Sequence, residues 1–138
     1  MKSIYIFDAC ALIALLSKET GHDKVEGIIK AAKNNHAKIV MHSLNLYEVY
    51  YNISKTYNEN SALNFLNEIG NSPIELNAEI TKEIIMTAGK LKTRYKMSLT
   101  DSIGLAQTVI LQGSFVTADH HELDVVAKNE DINFTWIR

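Results

Sequence analysis

The sequence is poor in the features that mark extracellular, multidomain and membrane-spanning proteins. It holds a single cysteine, Cys10, so no disulfide can form within the chain and a reducing compartment is expected. One proline and the lack of any glycine- or serine-rich stretch predict no linker, so residues 1–138 are expected to form one domain. The apolar start SIYIF is interrupted by Asp8 and is too short for a signal or membrane segment. We therefore expect a cytoplasmic globular protein with no membrane association.

An excess of charge of one sign is also missing. The sequence has 14 basic and 16 acidic residues, and its formal net charge of -2 provides no general attraction to nucleic acid. Any contact with nucleic acid must then come from a local basic patch. One candidate places four cations within seven residues: Lys90, Lys92, Arg94 and Lys96. These side chains could bind a phosphate backbone, or they could be the cations that a helix favours near its C-terminus.

Apolar runs and helical periodicities alternate along the chain. The apolar runs predict strands at residues 3–7, 38–41, 74–76, 114–117 and 133–137. Helical spacing predicts helices at residues 9–16, 25–32, 44–57, 61–69, 78–96, 101–113 and 122–128. This alternation predicts a three-layer α/β/α sandwich with a central, mainly parallel sheet of about five strands. In the longest helix, we expect one stripe to face the core: Ile80, Ile84, Ala88, Leu91 and Tyr95.

Four acidic residues lie where an apolar run ends or within a predicted helix: Asp8, Glu48, Asp101 and Asp119. Burying several carboxylates together is costly, because each loses its hydration and they repel one another. In a parallel sheet, ligands gather at the carboxyl ends of the strands, where Asp8 and Asp119 are both expected. A divalent cation takes oxygen ligands and would neutralise such a cluster. The pattern therefore favours a metal-dependent site that cleaves phosphodiesters.

Each acid also has an ordinary structural interpretation. Asp8 suits the N-cap of the helix that follows it, and Asp119 with Glu122 has the spacing of a capping box. Asp101 suits the first turn of a helix whose cap would be Thr100. Glu48 lies in a helix that is apolar almost all round, so it faces either a polar cleft or a solvated gap. The four together are harder to explain by capping than any one alone.

Four segments in this order resemble the PIN domain family, in particular the VapC-like toxin ribonucleases of type II toxin–antitoxin pairs: IFDACALIALL, SLNLYEVYYN, SLTDSIGLAQT and FVTADHHEL. The resemblance runs from Ser3 essentially to the end of the sequence. It implies an endoribonuclease that cleaves single-stranded RNA and depends on Mg²⁺ or Mn²⁺. By motif, the catalytic and metal-binding residues it implies are Asp8, Glu48, Asp101 and Asp119, with Thr117 as a supporting hydroxyl.

The resemblance also implies a cognate antitoxin as partner, and the apolar helices suggest a homodimer. Two residues depart from the family pattern. Cys10 stands where the family usually has a small hydroxyl or amide residue, and Leu123 stands where it usually has an aromatic residue.

Two other functions stay open. A strand followed by Asp8 would also suit a haloacid-dehalogenase-like phosphatase with Asp8 as the nucleophile, although the second acid that such enzymes usually carry two residues later is here Cys10. A PIN-like protein could instead bind RNA or act as a scaffold without catalysis. Titration with a divalent ion tests the scaffold alternative, because a real metal site is stabilised by its ligand through mass action and a scaffold is not.

Overall fold

A five-stranded parallel sheet forms the centre of the molecule. The computed structural model describes residues 2–138. Its strands are β1 (Ser3–Phe7), β2 (Ala37–His42), β3 (Ile74–Asn77), β4 (Ser114–Thr117) and β5 (Asn133–Trp136). Their order across the sheet is β3-β2-β1-β4-β5, and every neighbouring pair is parallel. The predicted parallel sheet of about five strands is confirmed.

Within the described range, seven helices connect and flank these strands. They are α1 (Ala9–Leu16), α2 (His22–Lys33), α3 (Ser43–Thr56), α4 (Glu59–Gly70), α5 (Lys82–Arg94), α6 (Leu99–Leu111) and α7 (His120–Asn129). Each of the predicted helices corresponds to one of them. No helix of residues 2–138 is both long and apolar enough to cross a membrane.

Alternation along the strands gives the sheet two apolar faces. Phe7 and Val116 pack in a cluster with buried residues of α1, α3 and α4. Their neighbours Ile6 and Phe115 pack in a second cluster with residues of α5, α6 and α7. Successive side chains of a strand point to opposite faces, so burial of both members of each pair requires helices on both sides of the sheet. The predicted three-layer α/β/α sandwich is therefore confirmed.

The strand order reverses direction at β1. The chain runs outward from β1 through β2 to β3, and then returns to the other side of β1 to form β4 and β5. Such a reversal opens a crevice at the carboxyl ends of the two strands that flank it, which are β1 and β4 here. Asp8 follows β1 directly, and Asp119 lies two residues after the end of β4.

The start of α5 differs from its prediction. The helix begins at Lys82 rather than at residue 78, because the Thr81 hydroxyl caps it by accepting from the amide of Ile84 at 3.2 Å. Ile80 therefore lies outside the helix and is 49% exposed, so its predicted place in the core stripe is wrong. The other members of the stripe that α5 contains, Ile84, Ala88 and Leu91, are buried.

The start of α6 also differs from its prediction. The helix begins at Leu99, and its N-cap is Ser98, whose Oγ accepts from the Asp101 amide at 3.1 Å. Thr100 is therefore not the cap that the sequence led us to expect, and its hydroxyl is available for another partner. Helix α6 also packs very close to β4, because a Cβ at Gly104 would lie 2.6 Å from a ring carbon of Phe115.

Candidate metal site

All four acids that the sequence singled out line one cavity at the carboxyl edge of the sheet. The cavity has a volume of about 350 Å³. Its lining consists of Asp8, Ala9, Cys10, Glu48, Tyr51, Ser98, Asp101, Asp119, His121 and Glu122. A larger groove of about 440 Å³ lies against α1, α3 and α4, but Glu68 is the one carboxylate in its lining. The chemistry therefore points to the smaller cavity.

Asp8 caps α1 and reaches the cavity at the same time. Its Oδ1 accepts from the Ala11 amide at 2.9 Å, and its side chain is buried. Burial raises the pKa of Asp8 to about 7, although hydrogen bonds from the Thr117 hydroxyl and the Ala11 amide oppose this effect. The charges of Asp101 and Glu48 raise the same pKa further. The capping role predicted from sequence is real, and it coexists with a place in the cavity.

Asp101 enters the cavity from the first turn of α6. Burial raises the pKa of Asp101 to about 6, with a hydrogen bond from Ser98 opposing it. The carboxylates of Asp119, Glu48 and Glu122 add to the rise through their negative charge. Asp8 and Asp101 thus both hold their protons more tightly than a solvated aspartate does, since neither has a compensating cation.

Asp119 and Glu122 belong to the start of α7. The Asp119 carboxylate accepts from the Glu122 amide at 3.3 Å, which is one half of the predicted capping box. In a complete box, the glutamate would bind the amide of the cap residue. Here that amide donates to the Thr117 hydroxyl at 3.1 Å instead, which leaves the Glu122 carboxylate for the cavity.

Glu122 is a candidate metal ligand that the sequence interpretation missed. One ligand atom from each of Asp101, Asp119 and Glu122 can be chosen so that all three lie within 4.8 Å of one another. The available signal was its spacing of three residues from Asp119, which places both acids at one helix start on the carboxyl edge. On its own, that spacing is equally typical of a capping box.

Glu48 reaches the cavity from α3. Its Oε1 accepts from the Thr100 hydroxyl at 2.7 Å, so a residue of α6 holds its side chain. The structure thus places Glu48 in a polar cleft rather than in a solvated gap. One turn further along α3, Tyr51 also lines the cavity, and its ring stacks on that of Tyr47 with centroids 5.6 Å apart.

The cysteine and the histidines near the cavity are less suited to catalysis than the acids. Burial, followed by the charges of the acids around it, raises the pKa of Cys10, so its thiol stays protonated and is a poor nucleophile. His121 lines the cavity, whereas the ring of His120 stacks on Trp136 with centroids 4.0 Å apart. The two neighbouring histidines therefore point in different directions.

The predicted basic patch has exposed side chains, and two of its four residues have partners within the chain. Lys92 donates to the carbonyl oxygen of Met97 at 2.7 Å, and Arg94 lies 3.4 Å from a carboxylate oxygen of Glu130. Lys90 and Lys96 are exposed. The patch lies at the C-terminal end of α5 and just beyond it, outside the lining of the acidic cavity.

The donor set fits a hard divalent cation. The lining holds five carboxylates, and no lysine or arginine is part of it. Oxygen-only clusters of this kind suit Mg²⁺ or Mn²⁺, whereas zinc prefers cysteine and histidine. The raised pKa values of Asp8 and Asp101 are a second sign of uncompensated negative charge, which a cation would relieve.

The fold and the cavity together define an α/β protein with an acidic site at the point where its strand order reverses. A family model described as the PIN domain matches residues 5–129. The chain belongs to the PIN domain family, so the alternative of a haloacid-dehalogenase fold is set aside. A search of curated protein sequences finds no match.

Solved structures with this fold include several toxin–antitoxin proteins. VapBC2 from Rickettsia felis, bound to a DNA fragment from their promoter, is 16% identical with a TM-score of 0.74, covering 96% of this chain and 97% of that chain. VapBC-1 from nontypeable Haemophilus influenzae is 13% identical with a TM-score of 0.71, and the match covers 97% of this chain and 98% of that chain. The sarcin–ricin loop cleaving toxin VapC20 from Mycobacterium tuberculosis is 11% identical with a TM-score of 0.67, and the match covers 92% of this chain and 95% of that chain. Likeness at these identities establishes the fold.

Proposed function

We propose that this protein is a divalent-metal-dependent endoribonuclease that cleaves single-stranded RNA. The observation that carries the proposal is the convergence of five carboxylates from α3, α6, α7 and the end of β1 in one cavity without a lining lysine or arginine. Membership of the PIN domain family supports it, and so does the fold shared with a toxin that cleaves the sarcin–ricin loop.

The residues that would hold Mg²⁺ or Mn²⁺ are Asp8, Glu48, Asp101 and Asp119, with Glu122 added. A bound cation of this kind polarises a phosphate oxygen and lowers the pKa of water. The protein's own contribution is to hold the acids in place. Thr117 links two of them, because its hydroxyl bonds to Asp8 and accepts from the Asp119 amide.

We propose further that the protein is the toxin of a type II toxin–antitoxin pair and acts in the cytoplasm. The structures with the same fold from Rickettsia felis and Klebsiella pneumoniae are a VapBC protein and a toxin–antitoxin complex. An antitoxin would be a protein that occludes the cavity, and the acidic lining would attract an arginine or lysine side chain from it. For the RNA, the candidate phosphate contacts are the basic patch residues Lys90, Lys92, Arg94 and Lys96.

A second copy of the chain is the partner that we propose for an exposed apolar surface around α5. Ile80, Ile85 and Leu99 line a cavity of about 250 Å³ with buried and half-buried apolar residues of α3, α5 and α6. Large exposed apolar patches on a folded domain mark sites of association. A homodimer would cover this surface and leave the acidic cavity as a separate opening.

The test of the nuclease is cleavage of a mixed pool of single-stranded RNA by the wild type and Asp8→Asn, each with Mn²⁺ and with EDTA. Asp131→Asn, an exposed acid outside the cavity, is the matched control. We expect cleavage by the wild type and the control that requires Mn²⁺, and none by Asp8→Asn. Mn²⁺ binding without cleavage would support the site but contradict RNA as its substrate. If Asp8→Asn still bound Mn²⁺ and cleaved RNA like the wild type, the proposal would be contradicted. If the wild type bound no Mn²⁺ at all, a scaffold would be favoured.

A further inference from the structure

The Glu48 carboxylate is held by a side chain from another helix. Thr100 is the second residue of α6, and its hydroxyl lies 2.7 Å from Oε1 of Glu48 on α3. A carboxylate can only accept, so Thr100 must be the donor. Its hydroxyl hydrogen is available for this contact because Ser98, and not Thr100, caps the helix, and the Thr100 oxygen then accepts from the Ser98 hydroxyl at 3.2 Å.

This contact opposes the repulsion that Glu48 meets in the cavity. Glu48 shares the cavity with Asp8 and Asp101, whose negative charges repel it. A half-buried glutamate has several rotamers, and repulsion alone would favour those that point away from the other acids. A hydrogen bond from a neutral hydroxyl to a carboxylate is charge-assisted and opposes this movement without adding a charge to the site.

The position of Thr100 is itself fixed by α3. Asn45 lies three residues before Glu48 on that helix and is buried, and its Nδ2 donates to the backbone carbonyl of Thr100 at 3.3 Å. Each helix therefore donates to the other: Asn45 of α3 binds the Thr100 backbone, and the Thr100 hydroxyl binds Glu48 of α3. The contact joins distant parts of the chain, because Glu48 and Thr100 are separated by 52 positions.

We propose that Thr100 is a positioning residue, which holds Glu48 by Oε1 and keeps its second oxygen available to a cation in the cavity. This inference rests on the proposed metal site and goes beyond it, because it assigns the geometry of one ligand to a residue outside the lining of the cavity. Groups that orient metal ligands in this way typically change metal affinity by about 10–100-fold when they are removed.

The test compares Mn²⁺ binding isotherms of the wild-type protein and three variants. Thr100→Val removes the hydroxyl at nearly constant volume, and Thr100→Ser retains it. Thr93→Val is the control, because Thr93 is exposed on α5 and donates to Gly89 within its own helix at 2.8 Å. We expect Thr100→Val to bind Mn²⁺ roughly tenfold more weakly, with Thr100→Ser restoring most of the affinity and Thr93→Val leaving it unchanged. Thermal unfolding in EDTA identifies any variant that fails to fold.

A double-mutant cycle with Glu48→Gln shows whether Thr100 acts through Glu48. We expect Thr100→Val to weaken binding in the wild type and to add no further loss in the Glu48→Gln background. An equal loss in both backgrounds would overturn the proposal, since Thr100 would then act through the fold. Wild-type affinity in Thr100→Val would overturn it while leaving the proposed function intact. A wild type that binds no Mn²⁺ would overturn both.

Discussion

Asp8 combines a stabilising and a destabilising contribution in one side chain. As an N-cap it satisfies the amide of Ala11, which contributes about 1 kcal/mol to a helix. As a buried carboxylate beside other acids it costs free energy whenever it is charged, which is why its pKa rises to about 7. An asparagine would keep the oxygen that caps the helix and remove the charge, so the two contributions can be separated by one substitution.

The metal-free protein is expected to lose stability as the pH rises. The folded state holds the Asp8 proton up to about pH 7, whereas the unfolded chain releases it near pH 4. Between these values the folded state binds more protons, so the free energy of unfolding falls with rising pH. Each pKa unit corresponds to about 1.4 kcal/mol. We therefore expect Asp8→Asn to raise the free energy of unfolding at pH 8 by roughly 1–3 kcal/mol, and by much less at pH 4.

Urea denaturation in EDTA at both pH values measures this difference. Asp131→Asn serves as the control, because that side chain is exposed and should change neither value. If Asp8→Asn were less stable than the wild type at pH 8, the Asp8 carboxylate would have to be compensated by a positive charge that the cavity lining lacks.

Metal affinity is expected to fall steeply with acidification. Protons and a divalent cation compete for the same carboxylates, and the pKa values of Asp8 and Asp101 are raised to about 7 and about 6. Both groups are largely ionised at pH 8 and largely protonated at pH 5. We expect Mn²⁺ to bind at least roughly tenfold more weakly at pH 5 than at pH 8, as measured by calorimetric titration. An affinity that did not change over this range would exclude Asp8 and Asp101 as ligands.

Glu122 is expected to contribute to metal binding although it lies outside the quartet that the sequence suggested. Its carboxylate lies with those of Asp101 and Asp119 within 4.8 Å, and Glu122→Gln would keep its shape while removing one negative charge. We expect this variant to bind Mn²⁺ roughly tenfold more weakly in the same titration. Glu83→Gln is a matched control, since Glu83 occupies the first turn of α5 and is exposed. An equal loss in both variants would point to a general electrostatic effect.

At the scale of elements, the position of α6 depends on a glycine. A Cβ at Gly104 would lie 2.6 Å from a ring carbon of Phe115, whose side chain is fully buried. We expect Gly104→Ala to destabilise the protein by about 1–3 kcal/mol. Gly27→Ala is the contrasting variant, because Gly27 lies in α2 with nothing within 4 Å of a Cβ, and there alanine should stabilise by about 0.5–1 kcal/mol. Chemical denaturation measures the free energy of unfolding of both variants, which should fall in Gly104→Ala and rise in Gly27→Ala. A Gly104→Ala variant as stable as the wild type would mean that α6 can shift away from β4.

The elements that the sequence predicted well are those with strong local signals. β1 and β4 are short apolar runs that are each followed within two residues by an acid, and their alternation with helices places them in the interior of a parallel sheet. The beginnings of α5 and α6 were harder, because Thr81 and Ser98 compete as caps with neighbouring residues that suit the role equally well. Helix boundaries are uncertain by one or two residues when read from a local pattern, because several adjacent residues can cap the same helix.

In the candidate site, too, the residues with a local sequence signal could be predicted and those that depend on distant contacts could not. Asp8 and Asp119 could be placed from the chain alone, because the residue after a parallel strand lies on a known edge of the sheet. The contact of Thr100 with Glu48 could not be predicted, since it joins α3 and α6 across a long sequence separation. Glu122 was missed because a capping box already explains its spacing, and the structure shows that this box is incomplete, since the Asp119 amide donates to the Thr117 hydroxyl two residues earlier.

At the scale of the whole molecule, the surface around α5 is the feature that a single chain leaves unexplained. Ile85, Met86 and Leu99 are 58%, 64% and 61% exposed, although each would gain free energy by burial. Leu99 and Ile85 line the same apolar cavity, so the patch is a shaped surface rather than a scatter of single residues. A stable dimer typically buries about 800 Å² on each partner, and an apolar cavity beside exposed side chains is suited to receive them from a second copy.

The oligomeric state is therefore expected to depend on this surface. We expect the wild type to sediment as a dimer and Ile85→Glu to sediment as a monomer, because a charge in the centre of an apolar interface would be buried without a partner. Val125→Glu is the matched control, since Val125 is 48% exposed on α7, outside the surface around α5. Because Ile85 lies outside the lining of the acidic cavity, Mn²⁺ binding should persist in the monomeric variant. A monomeric wild type would contradict the proposed homodimer, and a dimer that survives Ile85→Glu but not Val125→Glu would place the interface on α7 instead.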